Sequence, residues 1–247
     1  MRPRVVLTRA NEKQITEDWR QEIPCLGIYR PRHLLRRVGP LLVGICLDRD
    51  SSGEIYNPTF HVHSLCLADD TVSLMLGTQL RSERSGGPSY VEVKWHGQKY
   101  KEAAARMVRQ SLLPLDGDLS LDQVIKAYHI YLSSPLGRAH PVSPYQDMIV
   151  LSAWGGDEQG ALRFLCECLR ISDAPREVSF SSLQGGKPMT KSVHTIEDPS
   201  FRHVGGRLAF EAECRKLIEN PALIEQTVDL QIKALGVGGL PVSNLLR

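Results

Sequence analysis

The stretch from Asn57 to Leu67 reads Asn-Pro-Thr-Phe-His-Val-His-Ser-Leu-Cys-Leu, and it decides the fold of the first part of the chain. Its composition predicts a β-strand, in which successive side chains point to opposite faces. His61 and His63 therefore share one face, and Phe60 and Val62 share the other. This alternation is typical of a half-buried antiparallel strand, with the apolar side chains turned inward and the histidines turned outward.

The two histidines also suggest a metal site, because imidazoles one pleat apart can hold a transition ion such as Zn or Mn. A complete site needs a third ligand, and several residues elsewhere in the chain are candidates: Asp48, Asp50, Cys66, His33, His96 and His194. We therefore interpret His61 and His63 as candidate metal ligands. The alternative is a polar sheet face that binds no cofactor.

The segments around this strand extend the sheet. Leu41–Leu47 is a continuous apolar run, which predicts a buried strand, and the polar turn Asp48–Glu54 follows it. Thr71–Gly77 predicts a third strand, and the alternation in Tyr90–Trp95 predicts a fourth. Turns this short join antiparallel neighbours, so these strands are expected to form a meander.

Helical patterns occupy residues 9–22 and most of the chain after residue 100. Ser120 is a good N-cap for a helix that begins at Leu121. Further helices are expected over Lys101–Leu112, from Ser143-Pro144 to Trp154, after Asp157, and from Asn220-Pro221 to a C-terminal Gly236. Asp198-Pro199 opens another helical region, and the alternative is that this helix begins only after Gly205-Gly206. The fold class is therefore α+β: a β-rich part over residues 1–100 packs against a helical part over residues 101–247, in one continuous globular unit.

Composition excludes several classes of protein. Of the 247 residues, 42% are hydrophobic and 23% are charged, which argues against a disordered or fibrous chain. The net charge of +2 does not by itself indicate a nucleic-acid or membrane partner.

The cysteines and the apolar runs predict a cytoplasmic protein without a membrane partner. None of the six cysteines forms a Cys-x-x-Cys pair, and four lie in apolar segments, so we expect buried, reduced thiols. The apolar stretch near Met1 is too short for the core of a signal peptide, and no apolar run approaches the ~18 residues needed to cross a bilayer.

Basic residues are concentrated near the beginning of the chain. Residues 1–40 carry nine Lys or Arg against four Asp or Glu, an excess of five in a chain whose total is +2. Arg30, Arg32, Arg36 and Arg37 form the densest cluster and are the candidate residues for binding a partner or a nucleic acid. The alternative is a solvated face with the intervening leucines turned to the core.

No complete catalytic signature occurs in the sequence: the Gly-x-Ser-x-Gly, His-Glu-x-x-His and Gly-x-Gly-x-x-Gly motifs are all absent. We therefore expect a protein that is not an enzyme: an interaction subunit, an adaptor or an immunity-type inhibitor that binds a protein partner in a cytoplasmic, bacterial assembly. One alternative is a metal-dependent hydrolase or nuclease that uses His61 and His63. Another is a nucleic-acid-binding accessory protein that uses the four arginines.

Overall fold

A computed structural model describes residues 6–173, 177–178, 191–192, 201 and 205–247 of the chain. The chain divides into two compact units. The first combines Met1–Tyr131 with Ile224–Arg247, and the second is Leu132–Leu223. The boundary expected from the sequence, between residues 100 and 101, falls inside a helix of the first unit.

An antiparallel sheet forms the centre of the first unit, with five strands in the order β1-β2-β3-β4-β5. These strands are β1 (Gly27–Arg30), β2 (His33–Val38), β3 (Leu41–Arg49), β4 (Ile55–Ser64) and β5 (Met75–Gln79). Two short strands extend it: β6 (Val91–Glu92) pairs with β4, and β10 (Val242–Ser243) runs parallel to β2. The predicted meander is confirmed for β3, β4 and β5, whereas β1 and β2 were not predicted.

Two of the predicted strands differ from those observed. The third begins at Met75 instead of Thr71, because the segment before it wraps around a histidine of β4: the backbone N–H of Ser73 donates to Nδ1 of His63 over 3.1 Å. The fourth is reduced to Val91–Glu92, because Val93–Trp95 forms a 3₁₀ turn that leads into the next helix.

Helices α1 (Arg9–Glu22) and α2 (His96–Gln110) lie over the face of the sheet that carries Phe60 and Val62. Thr8 caps α1, with Asn11 completing a reciprocal pair of side-chain to backbone bonds. The buried Trp19 of α1 contacts Tyr56 of β4 edge to face, with ring centroids 6.4 Å apart. This helical layer explains why the apolar side of β4 is excluded from water.

The opposite face of the sheet is also covered. Leu35 and Leu42 of this face pack in one buried cluster with Leu235 and Val237, which follow the last helix, α8 (Ala222–Ala234). His61 and His63 lie on this face and are 0% and 2% exposed. The outward, polar histidine face expected from the sequence is therefore wrong, because Leu235 and Val237, more than 170 positions further along the chain, pack on the same face.

The helical layer is joined to the sheet by a chain of four polar side chains. Nε1–H of Trp19 donates to the hydroxyl of Tyr56 over 3.1 Å, and that hydroxyl lies 2.8 Å from Nδ1 of His96. Nε2 of His96 lies 2.9 Å from a carboxylate oxygen of Asp18. The geometry fits one proton arrangement: Nε2 of His96 donates to Asp18, and Nδ1 accepts from Tyr56. Burial raises the pKa of Tyr56, which keeps this hydroxyl a donor.

The second unit is helical. It contains α4 (Pro135–Ala139), α5 (Val142–Gly155), α6 (Glu158–Asp173), the strand pair β8 (Glu177–Val178) and β9 (Lys191–Ser192), and α7 (Arg207–Glu219). Helix α5 has buried side chains around most of its circumference, as expected of a central helix. Gly156 ends it with a positive φ of 84°, and Asp157 caps α6 through the N–H of Gly160, as the sequence predicts.

The α+β prediction is confirmed. Helix α3 (Leu121–Leu132) begins after Ser120, whose hydroxyl accepts from the N–H of Gln123, and α8 ends before Gly236, which has a φ of 66°. The strand β7 (Leu119–Ser120), just before α3, pairs with β11 (Leu245–Leu246). Within the described ranges, none of the helices combines the length and the apolar character that a bilayer crossing requires.

The Tyr56 hydroxyl is expected to contribute about 2 kcal/mol to the free energy of unfolding. Tyr56→Phe leaves Nε1–H of Trp19 and Nδ1 of His96 buried without a partner, and a buried unsatisfied group costs on this order. Urea unfolding at neutral pH measures the change. Tyr90→Phe is the matched control, because Tyr90 is 55% exposed and its stability effect should lie within about 0.5 kcal/mol. Equal stability of the two variants would contradict the proposed role of the network.

Candidate functional site

The candidate histidines His61 and His63 lie on β4, and His33 lies on β2, on the other side of β3. In the register of the sheet, His61 of β4 is opposite Gly44 of β3, and Gly44 is opposite Leu35 of β2. A side chain on Gly44 would clash with the backbone of β2. Because β3 carries no side chain at this position, the imidazole of His61 can lean across β3 toward His33, which lies on β2 next to Cys46.

His33 and His61 are in direct contact. Their Nε2 atoms are 2.7 Å apart and their ring centroids are 4.8 Å apart. At this distance one Nε2 carries a proton and donates it, and the other accepts it. His33 also contacts the ring of Tyr29 edge to face, at 5.4 Å between centroids. The pair is therefore a hydrogen bond between a donor and an acceptor imidazole, inside the protein.

Both histidines of the pair are held neutral. Burial, aided by the positive charge of Arg30, lowers the pKa of His33 to about 4. Burial, aided by the other two histidines, lowers the pKa of His61 to about 3. Each imidazolium would have to shed its water inside the sheet, and that desolvation disfavours the charged form. Near neutral pH this cluster carries no charge.

His63 has a different partner from the pair. Its Nδ1 accepts the backbone N–H of Ser73 over 3.1 Å and lies 3.0 Å from the Ser73 hydroxyl. The proton of the neutral ring is therefore on Nε2, which is buried without a hydrogen-bond partner among the described residues. Burial lowers the pKa of His63, although Asp69 acts in the opposite direction.

Of the candidate third ligands in the described part of the chain, His33 is in contact with His61. His96 is bonded to Tyr56 and Asp18 on the other face of the sheet, and Asp50 accepts the hydroxyl of Ser52 in the turn after β3. His194 lies outside the described residues. Across the ranges that the structure describes, no three His, Cys, Asp or Glu side chains are grouped so that they could hold a metal ion.

The four candidate arginines do not share one surface. Arg36 is 1% exposed, and its guanidinium donates to the carbonyl oxygens of Gly117 and Pro114 and to the hydroxyl of Ser243, over 2.6, 3.0 and 2.7 Å. It joins β2 to the loop before β7 and to β10. Its Nη1 and Nη2 donors are therefore used inside the first unit, and the buried guanidinium cannot reach a phosphate or an acidic surface.

The other three arginines lie at different places. Arg32 has a φ of 66° in the turn between β1 and β2, and its Nε lies 3.2 Å from a carboxylate oxygen of Glu12. Arg37 points to the face opposite Arg36, because neighbours on a strand alternate, and it is half-buried. Arg30 is exposed, and its guanidinium lies 4.7 Å from the centre of the Tyr29 ring. Of the four, Arg30 is best placed to meet a partner.

A groove beside Arg30 was not predicted from the sequence. It lies between α1 and β1 and is lined by Ala10, Lys13, Gln14, Glu17, Ile28 and Pro31. Ile28 is 42% exposed there, and β1 is the terminal strand of the sheet. One signal in the sequence could have indicated the edge: Pro31 follows the short Gly-Ile-Tyr-Arg strand, and proline within sheets is confined to edges and strand ends.

Comparisons with protein-family models, with curated proteins and with solved structures find no significant match for this chain.

Arg36 is expected to act as a structural residue. Arg36→Met removes three part-buried hydrogen bonds from a charged donor, two to carbonyl groups and one to a hydroxyl, so the free energy of unfolding should fall by about 3 kcal/mol. Urea unfolding measures the loss. Arg37→Met is the matched control on the next residue, and its effect should lie within about 0.5 kcal/mol, because no hydrogen bond or ion pair of its side chain occurs among the described residues. Similar losses in both variants would contradict this role.

The neutral histidine pair is expected to make the fold sensitive to acid. Below pH ~6.5 the two histidines are protonated in the unfolded chain but remain neutral in the folded protein. The free energy of unfolding therefore falls as the pH decreases toward the folded pKa values of about 4 and about 3. At pH 5 each histidine accounts for about 2 kcal/mol of loss relative to pH 8. His61→Gln should therefore reduce the stability difference between pH 8 and pH 5 by about 2 kcal/mol.

The control for the acid experiment is His140→Gln, because His140 is exposed at the end of α4. Urea unfolding of both variants and of the parent protein at pH 5 and pH 8 gives the comparison. His140→Gln should leave the pH difference unchanged. If His61→Gln also leaves it unchanged, His61 is not held neutral by the fold.

Proposed function

We propose that this protein is a non-catalytic interaction protein, acting as a subunit, an adaptor or an immunity-type inhibitor, and that it holds its protein partner at the α1–β1 groove. The observation that carries the proposal is the open edge of β1 beside this groove. No backbone hydrogen bond on the outer side of β1 occurs in the described part of the chain. Ile28 adds an exposed apolar side chain at the same place.

An open edge next to a groove can bind an extended segment of another protein. The main-chain groups of the edge strand supply affinity, and the neighbouring groove selects alternate side chains. Edge strands left open also attract unwanted pairing, and short length is one of the ways in which proteins limit that hazard. The four residues of β1 suit a short partner segment.

The position of the histidines supports an interaction role over catalysis at His61 and His63. Both side chains are at most 2% exposed, and they share their face of the sheet with an apolar cluster that includes Leu35, Leu42 and Leu65. A substrate would have to displace this packing before reaching either ring. The surface that is open to a partner lies instead at the groove.

The test is site-specific photo-cross-linking in cells of the source organism. With p-benzoyl-phenylalanine at position 28, irradiation should give one dominant adduct with another protein, because the ring lies in the contact. The same amino acid at position 90, where Tyr90 is 55% exposed, is the control and should not give that adduct. Mass spectrometry identifies the bound protein. Absence of an adduct specific to position 28 would overturn the proposal.

A pair of substitutions tests the same surface without a probe. Ile28→Asp should weaken capture of the cross-linked partner at least about tenfold, because a carboxylate replaces an apolar contact. Val108→Asp is matched in chemistry and exposure, since Val108 is 43% exposed on α2, and it should keep full binding. Urea unfolding of both variants is recorded first. Equal binding by two folded variants would contradict a role of Ile28.

A further inference from the structure

The acidic residues around the α1–β1 groove already have partners. Glu12 lies 3.2 Å from Nε of Arg32, and Glu17 accepts from Nε of Arg20 over 2.9 Å. The carboxylate of Asp18 contacts His96 and the side-chain amide of Gln14. The negative charge on this side of α1 is therefore compensated within the protein.

Two cations at the groove make no close ion pair within the described ranges, although the more distant carboxylate of Glu17 acts on Lys13. Lys13 lines the groove on α1, and Arg30 ends β1 on the other side. In the described part of the chain neither one has a carboxylate within 4 Å. The rim of the groove consequently carries a net positive charge available to a ligand.

Arg30 is also held in place before any ligand binds. Its guanidinium lies 4.7 Å from the centre of the Tyr29 ring, and Tyr29 is supported by the ring of His33. A cation stacked on an aromatic ring loses less conformational freedom when it meets a carboxylate than a free side chain does. The turn that follows is fixed to α1, because the backbone N–H of Arg32 donates to the hydroxyl of Thr16 over 2.7 Å.

We infer that the groove binds an extended acidic segment of the partner protein, which adds as a strand to the open edge of β1. An apolar side chain of the segment packs on Ile28, and a carboxylate two residues along the segment, on the same face, meets Lys13. A carboxylate on an adjacent residue points to the opposite face and meets Arg30, which pairs with His33 on that face. The spacing follows from the strand: alternate side chains of the added segment point to the α1 side, where Ile28 and Lys13 lie. This inference rests on the proposed function, and it names the chemistry of the partner.

Two synthetic peptides of about eight residues test the charge preference. One repeats Val-Thr-Glu-Glu, which puts valine and glutamate in turn on one face of the strand and glutamate also on the other face, and the second repeats Val-Thr-Lys-Lys. Both are capped at their ends, and binding to the full chain is followed by NMR chemical shifts. The acidic peptide should bind at least about tenfold more tightly, since two exposed charge contacts together supply roughly this factor. Its binding should weaken with added salt. The affected amides should include those of Gly27–Arg30.

Reversing the charges of the two groove cations provides a second test of the charge preference. Lys13→Glu combined with Arg30→Glu should invert the preference, so that the basic peptide becomes the tighter ligand. The control is Arg84→Glu combined with Lys99→Glu, which changes the net charge equally at two exposed cations away from the groove. This control should keep the preference for the acidic peptide. Unchanged selectivity in the groove variant, or inverted selectivity in the control, would overturn the inference.

The outcomes separate this inference from the proposed function. If position 28 cross-links a protein partner but the two peptides bind equally or not at all, the acidic-strand inference fails and the interaction role stands. If position 28 cross-links no protein, the proposed function fails and the inference fails with it. Amide shifts confined to residues outside β1 would also overturn strand addition, even with a charge preference.

Discussion

Coverage of the central sheet on both faces is the constraint on which the first unit depends. Strands β2, β3 and β4 carry apolar side chains toward α1 and α2 on one face and toward the segment after α8 on the other. A polar group buried between such layers must find its partner inside the protein or cost several kcal/mol. Tyr56 meets this requirement through His96 and Trp19, and the Nε2 atoms of His33 and His61 meet it through each other.

The same constraint changes the meaning of the residues that looked functional in the sequence. A histidine pair on a strand and a dense group of arginines are typical of metal sites and of phosphate-binding surfaces. Here the histidines are neutral members of the core, and Arg36 donates to main-chain carbonyl groups. The groups that are open to a partner lie at the edge of the sheet. Among the described residues, β1 has no neighbouring strand on its outer side, and Arg30 and Lys13 have no carboxylate within 4 Å.

Local patterns predicted many of the elements, although β1 and β2 were missed. The apolar run of β3, the alternation in β4 and the cap at Ser120 each depend on a few neighbouring residues, and the structure has a strand or a helix at each place. The ends of elements were less accurate where a distant contact decides them. Residues 71–74 read as part of a strand, yet the N–H of Ser73 is bonded to His63. The partners of His61, Arg36 and Tyr56 were not predictable, because each lies on another element.

By itself the sequence determined the α+β class, the antiparallel order of the central strands and the faces to which Phe60, His61, Val62 and His63 point, since periodicity and short turns are local properties. Only the tertiary structure decided which faces are buried, which charges are compensated and which edge stays open. The reason is that burial and ion pairing join residues far apart in the chain: Leu235 covers the face of Leu35, and Ser243 bonds to Arg36.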